Sequence, residues 1–165
     1  MFPIFGWTNN EGEPVVIGFA GKARSGKDTA GQYLVDKYRF VHYYFAKPLK
    51  EGTKHMFNLT EEQIKNKEKV IETWGKSPRE LYQLLGTDVA RSIDSDVWVK
   101  NAEMFRRQNA GFSMVVTDVR FANEAKWIRD KGGIVIYLES KTRGIESHTG
   151  HSSENGLSGE DVDKE

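Results

Sequence analysis

The stretch GKARSGKDT, Gly21 to Thr29, decides how the rest of the chain is read. An apolar run, Val15-Val16-Ile17-Gly18-Phe19-Ala20, leads into it, and a helix-like stretch, Thr29 to Tyr38, leads out. Strand, glycine-bracketed loop, lysine and helix form the layout of a phosphate-binding P-loop. Gly21 and Gly26 lack a Cβ, so the backbone can turn tightly and present its N–H groups inward as an anion nest. The helix that follows adds its unpaired first-turn N–H groups and the positive end of its dipole. Lys27 supplies a mobile charge for terminal phosphates. Gly21, Lys22, Ala23, Arg24, Ser25, Gly26, Lys27, Asp28 and Thr29 are therefore candidates for holding a nucleotide such as ATP. Asp28 stands where Ser or Thr normally follows the lysine, and Thr29 comes one later. Either could reach Mg²⁺, which prefers hard oxygen ligands. A glycine-rich turn carrying a lysine by chance is the plainer reading, and the flanking strand and helix count against it.

Outward from this loop, strand-like and helix-like segments alternate. Val15 to Ala20 is continuously apolar, as a strand buried on both faces should be. Ala30, Tyr33, Leu34 and Tyr38 recur at helical spacing and predict a helix packed on a sheet. Phe40 to Phe45 reads as a second strand, and Lys47-Pro48-Leu49 opens a helix to about Phe57. Thr60–Gln63 and Ser77–Glu80 both fit the capping box. The second predicts a helix from Pro78 to about Ser92 with Leu81, Leu84, Leu85 and Val89 along one side. Between the two boxes, EEQIKNKEKVIETWGK reads as exposed helix and loop. Asp96 to Gln108 is amphipathic, with Val97, Val99, Met104 and Phe105 apolar. Phe112 to Thr117 reads as a strand ending on Asp118, Asn123 to Lys131 as a helix stopped by Gly132-Gly133, and Ile134 to Leu138 as a last strand. This order predicts an α/β three-layer sandwich with a mostly parallel sheet. Residues 1 to 14 read as an irregular lead-in, and beyond Glu139 the chain is polar and glycine-punctuated.

With 165 residues the chain is sized for one domain. The expected division is a core at about 15–46 and 110–140, a helical insert at about 47–109, and a tail or lid at about 140–165. Lys+Arg and Asp+Glu are equal at 24 each, so no basic excess points to nucleic acid or a membrane surface. Cysteine is absent, which excludes disulfides and thiolate metal sites and fits a reducing compartment. Apolar runs are strand-sized, well short of the roughly 20 residues of a membrane span. No basic, cleavable leader pattern is seen at the N-terminus, so a cytoplasmic protein is expected.

Asp118, closing an apolar strand, has the place and type of an acid that holds Mg²⁺ or its waters, since nucleotide sites of parallel sheets lie outside the strands' carboxyl ends. Helix capping is the competing role. Phosphoryl transfer needs positive charge around the moving group, and guanidinium binds phosphate oxygens in pairs. Arg24 and Arg120 hold places defined by the motifs. Arg79 and Arg91 lie about three turns apart on the insert helix, and Arg143 lies in the glycine-rich tail where a lid could close. His148 and His151 with Glu154 make a poor metal signal, and no nucleophile elbow is present.

GKARSGKDT, the helix RELYQLLGTDVAR (Arg79 to Arg91) with DVWV (Asp96 to Val99), VVTDVRFANEA (Val115 to Ala125) before GGIVIYL, and HSSENGL (His151 to Leu157) together resemble the deoxynucleoside monophosphate kinases of bacteriophages. The similarity runs from about residue 15 to 157. It implies a P-loop, nucleoside-monophosphate-kinase-like fold, with transfer of the ATP γ-phosphate to a deoxynucleoside monophosphate in the host cytoplasm. It further implies that Lys27 and Arg24 hold phosphates, that Asp28 and Asp118 serve the metal, and that Arg120 and Arg143 neutralise the transferring group. Arg79, Gln83, Thr87 and Arg91, with Arg120, His151 and Glu154, would bind the acceptor. Small-molecule nucleotides are the expected partners, without nucleic acid or membrane, for a monomer or homodimer. The family usually continues past HSSENGL into a last strand and helix, so a short version or a fragment is expected, with an exposed sheet edge if a strand is lacking. Two other readings stay open: a phosphomevalonate-kinase-like enzyme, and a non-catalytic nucleotide-binding module.

Overall fold

Four short strands run parallel in one sheet: β1 (Val16–Ala20), β2 (Val41–Tyr43), β3 (Met114–Val119) and β4 (Ile134–Tyr137), in the order β2-β3-β1-β4. The structure, a computed structural model, describes residues 7–139. Around the strands lie α1 (Lys27–Tyr38), α2 (Lys47–Met56), α3 (Glu61–Lys65), α4 (Pro78–Gln83), α5 (Ala90–Ile93), α6 (Val97–Gln108) and α7 (Ala122–Asp130). The α/β class and parallel sheet expected from the alternation are what the chain adopts. It divides into two compact units, one holding the described residues up to Tyr44 and from Ala102 on, the other Phe45–Asn101.

In the first unit both faces of the sheet are covered, which is why β1 and the first half of β3 are apolar without alternation. Ile17, Phe19, Phe40 and Val115 pack against Ala30, Leu34, Val35 and Tyr38 of α1. On the opposite face, Ile128 of α7 lies against Gly18: a Cβ there would come within 2.5 Å of Ile128 Cδ1. Gly31 brings α1 onto β3 in the same way, with Thr117 Cγ2 at 2.4 Å from where its Cβ would be. Val115, Val116, Ile128 and Val135 are fully buried, each contributing roughly 2 kcal/mol by burial. Glu103 of α6 fastens α6 to α7 by accepting from Trp127 Nε1 at 3.1 Å and pairing with Lys131 at 3.3 Å.

α1 differs from its sequence pattern in one detail. Tyr33 is 52% exposed, and its hydroxyl pairs with Lys37 at 2.8 Å, so the packed face runs through Gly31 and Val35 instead. Met104 of α6 is likewise exposed, and Ala102 takes the buried place.

In the second unit both capping boxes form as expected, Thr60 with Gln63 and Ser77 with Glu80. The segment between them is not uniformly exposed: Ile71 is buried with Leu59 and Leu81, backed by Phe57 and Ile64. The helix predicted from Pro78 onward is not regular either. After α4 the chain winds as a π-helix over Leu84–Val89 and only then resumes as α5. The wider turn breaks the predicted stripe, so that Leu81 is buried while Leu84 and Val89 are each 43% exposed. Gly86 sits inside the π segment, closed over by Leu49, and its carbonyl accepts from Trp98 Nε1 at 2.9 Å.

Candidate functional site

The strand order makes the site. Chain leaving β1 runs through α1 to β2 on one side, and chain leaving β3 runs through α7 to β4 on the other. The loops after β1 and β3 therefore diverge above two adjacent strand ends, the crevice where parallel sheets take ligands.

The loop after β1 is built on left-handed backbone. Gly21 has φ +138° and Gly26 +97°, and Arg24 adopts +62° despite its side chain. Gly21 has a second reason to be glycine: a Cβ would stand 2.3 Å from the Leu138 carbonyl oxygen, which belongs to the stretch after β4. That backbone approach is fixed by Leu138 N–H donating to the Ala20 carbonyl at 2.8 Å. Gly26 caps α1 without a side chain, so no side-chain oxygen takes the first-turn N–H groups of the helix.

Lys27 turns back into the loop. Its Nζ donates to the Gly21 carbonyl at 2.8 Å and the Lys22 carbonyl at 2.5 Å, and lies 3.2 Å from Ser25 Oγ. Burial holds this ammonium below the ordinary lysine range, and the positive charge of Arg120 adds to the effect; Asp28 and Asp118 oppose it. Four charged groups thus act on one another at this end of the sheet. An incoming phosphate would supply the counter-charge that the half-buried lysine lacks.

Asp118 lies inside β3 instead of closing it, since the strand runs on to Val119. The ladder shows why this suits a carboxylate. Ile17 pairs with Val115 and Gly18 with Val116, but Ala20 pairs with Val119, so β3 carries one residue more than β1 over this interval. In a regular ladder Asp118 would stand opposite Ala20 and face α7. The bulge gives that place to Val119, which is 3% exposed, and leaves Asp118 half-buried. Beneath it, Thr117 Oγ1 pairs with a ring nitrogen of His42 at 2.8 Å.

Arg120 is exposed at the strand end, and its backbone N–H donates to Glu124 Oε2 at 2.8 Å. The same oxygen accepts from Phe121 N–H at 3.0 Å. Glu124 is only 2% exposed. Sequence reasoning missed it, although a Glu three residues into a strand-to-helix junction is the signal of such a role.

Arg79, Gln83, Thr87 and Arg91 lie in the second unit, along the α4–π–α5 rod. Arg79 donates to Glu68 Oε1 at 3.0 Å, and Arg91 to the Ser95 carbonyl at 3.1 Å. Thr87 falls within the π segment, a form frequent at functional sites. The neighbouring Tyr82 hydroxyl is buried without a hydrogen-bond partner, and burial pushes that phenol up. Arg143, His151 and Glu154 lie outside the described residues.

For a magnesium ion the fit is one of donor chemistry. Asp28, Thr29 and Asp118 offer two carboxylates and a hydroxyl, hard oxygens of the kind that ion takes. Among the described residues no group of three or more His, Cys, Asp or Glu side chains could enclose a metal. Among the described residues, too, no helix is long and apolar enough to cross a membrane.

A protein of Acanthamoeba polyphaga mimivirus, provisionally named a deoxynucleotide monophosphate kinase, is 35% identical over 157 residues, covering 85% of this chain and 80% of its own. Among solved structures, TT1252 from Thermus thermophilus aligns over 76% of this chain at 18% identity and TM-score 0.43. A protein from Chloroflexus aurantiacus, provisionally named a kinase, aligns over 76% at 13% identity and TM-score 0.42. This chain spans 65% and 59% of the length of those two structures. The sequence signature of deoxynucleotide monophosphate kinase matches residues 15–75 and 53–164, and on that match the chain belongs to the deoxynucleotide monophosphate kinase family.

Proposed function

We propose that this protein transfers the γ-phosphate of ATP to a deoxynucleoside monophosphate, giving a deoxynucleoside diphosphate and ADP. The observation that carries the reading is the gathering of Lys27, Asp28, Asp118 and Arg120 at the carboxyl ends of β1 and β3, where each charge acts on Lys27. Little covalent chemistry is asked of a protein in phosphoryl transfer; positioning and charge stabilisation do most of the work. In this reading the Gly21–Lys27 loop and the first turn of α1 hold the donor phosphates. Lys27 leaves its bonds to the Gly21 and Lys22 carbonyls and pairs with the terminal phosphate oxygens. Arg24 joins Lys27 on the phosphates, and Arg120 and Arg143 neutralise charge that builds on the transferring group. Asp28, Thr29 and Asp118 would hold magnesium or its waters, and that ion would supply further neutralisation of phosphate charge. Arg79, Gln83, Thr87 and Arg91 would bind the acceptor, as would Arg120, His151 and Glu154. No side chain needs to act as general base, because the acceptor is already an anionic phosphate.

The test is transfer from Mg·ATP to each dNMP, with the NMPs and phosphomevalonate alongside. Lys27→Ala should lower transfer by about a thousandfold while leaving the circular dichroism spectrum unchanged. Retained activity in that variant would overturn the assignment. Turnover of phosphomevalonate alone would move the protein to a different acceptor class.

A further inference from the structure

The buried carboxylate at the head of α7 has a task that the reaction scheme above leaves unassigned. Glu124 is 2% exposed, and its Oε2 accepts from two successive backbone N–H groups, Arg120 at 2.8 Å and Phe121 at 3.0 Å. A capping glutamate needs only the second of these bonds, from N3 back to the N-cap. The first lies one residue further out, on the residue whose guanidinium is assigned to the transferring phosphate. Phe121 has extended backbone, φ −114° and ψ 149°, so the chain leaves β3 outstretched and is held by this carboxylate at the point where it enters the helix. The helix itself is fixed: Ala125 and Ile128 are 0% exposed, and Trp127 is tied to Glu103. An anchor of this kind makes the Arg120 Cα part of the rigid sheet-and-helix body, so that only the side-chain torsions remain to be set.

We infer that Glu124 is a positioning residue for phosphoryl transfer, acting through Arg120 by clamping its backbone N–H to the first turn of α7. The inference rests on the role proposed for Arg120. A carboxylate is suited to this because charge-assisted bonds to backbone N–H are shorter and stronger than neutral ones. Burial in turn removes the water that would compete for them.

The experiment compares Glu124→Asp, Glu124→Ala, Arg120→Ala and the double variants in the full chain. Glu124→Asp keeps the charge but withdraws the oxygen by one methylene, and serves if Glu124→Ala fails to fold. Expected is a fall in kcat of about tenfold or more for Glu124→Asp, with KM for ATP within about twofold of wild type. In the Arg120→Ala background the Glu124 substitution should cost nothing further, since both act through one group. Amide exchange at Arg120 and Phe121 should quicken while that of Ala125 to Ile128 stays as in wild type. A purely structural carboxylate would slow the enzyme by the same factor whether or not Arg120 is present, and that multiplicative result overturns the inference. Binding of ADP with aluminium fluoride is measured on the same variants. If the wild type transfers phosphate to no dNMP, the functional reading fails. Glu124 is then judged by this affinity, which must weaken in Glu124→Asp and in Arg120→Ala without adding in the double variant; unchanged affinity in Glu124→Asp overturns it.

Discussion

The Gly21–Lys27 loop and the α4–π–α5 rod both carry candidate site residues, yet they are held in different ways. Around the loop the constraint falls on the main chain: left-handed glycines, the Leu138 carbonyl against Gly21, and carbonyls that accept from Lys27 Nζ. Along the rod side chains supply it: Leu49 over Gly86, Arg79 on Glu68, and a small cluster of Leu59, Ile71 and Leu81. A site cast in backbone is rigid and unforgiving, whereas one cast in side chains can adjust.

Substitutions can break or sharpen this contrast. The largest effect on stability is expected from Gly21→Ala, which combines a left-handed φ with a 2.3 Å clash against a carbonyl that cannot step aside. It should cost about 3 kcal/mol in urea unfolding; a loss under about 1 kcal/mol would show that the loop yields after all. Next comes the acid response of the first unit. Four donors around Glu103, the Arg106 bond foremost, hold its carboxyl down at about 2 from the usual 4.5. Because the folded value lies below the unfolded one, this support is complete above about pH 4.5 and is lost as pH falls toward 2. Glu103→Gln should therefore flatten the acid limb of stability by roughly 2 kcal/mol, read from thermal midpoints across that range. In the second unit, Gly86→Ala meets only the mobile end of Leu49, so about 1 kcal/mol is expected from the same urea titration. A cost equal to that of Gly21→Ala would erase the distinction between the two regions. The smallest change, and the one of opposite sign, is Tyr82→Phe. Removing a buried hydroxyl that has no partner should raise stability by up to about 1 kcal/mol, visible as a higher urea midpoint; a lower midpoint would mean that the hydroxyl is bonded in solution.

The same contrast explains what could be read in advance. Gly21 and Gly26 were legible because positive φ is a local demand with one common answer. Thr60–Gln63 and Ser77–Glu80 were legible because capping is settled within four residues. The π segment was not, because Leu81, Leu84, Leu85 and Val89 satisfy a regular 3.6-residue period. The backbone over Leu84–Val89 is nonetheless wound more widely. Tyr33 misled for a similar reason: its spacing is helical, but Lys37 and solvent hold it outside. Glu124 looked like any charged residue of an amphipathic helix until its burial was known.

The extra residue in β3 has a consequence for how this protein tolerates genetic change. Which face of the sheet Asp118 takes is decided by a count of residues between Val116 and Val119, not by the identity of any one of them. Scanning by substitution would pass over that count. Loss of the Thr117 codon would restore the even ladder and set Asp118 opposite Phe19, in the place that Thr117 now holds. Lineages of this chain should therefore keep the length of the strand fixed.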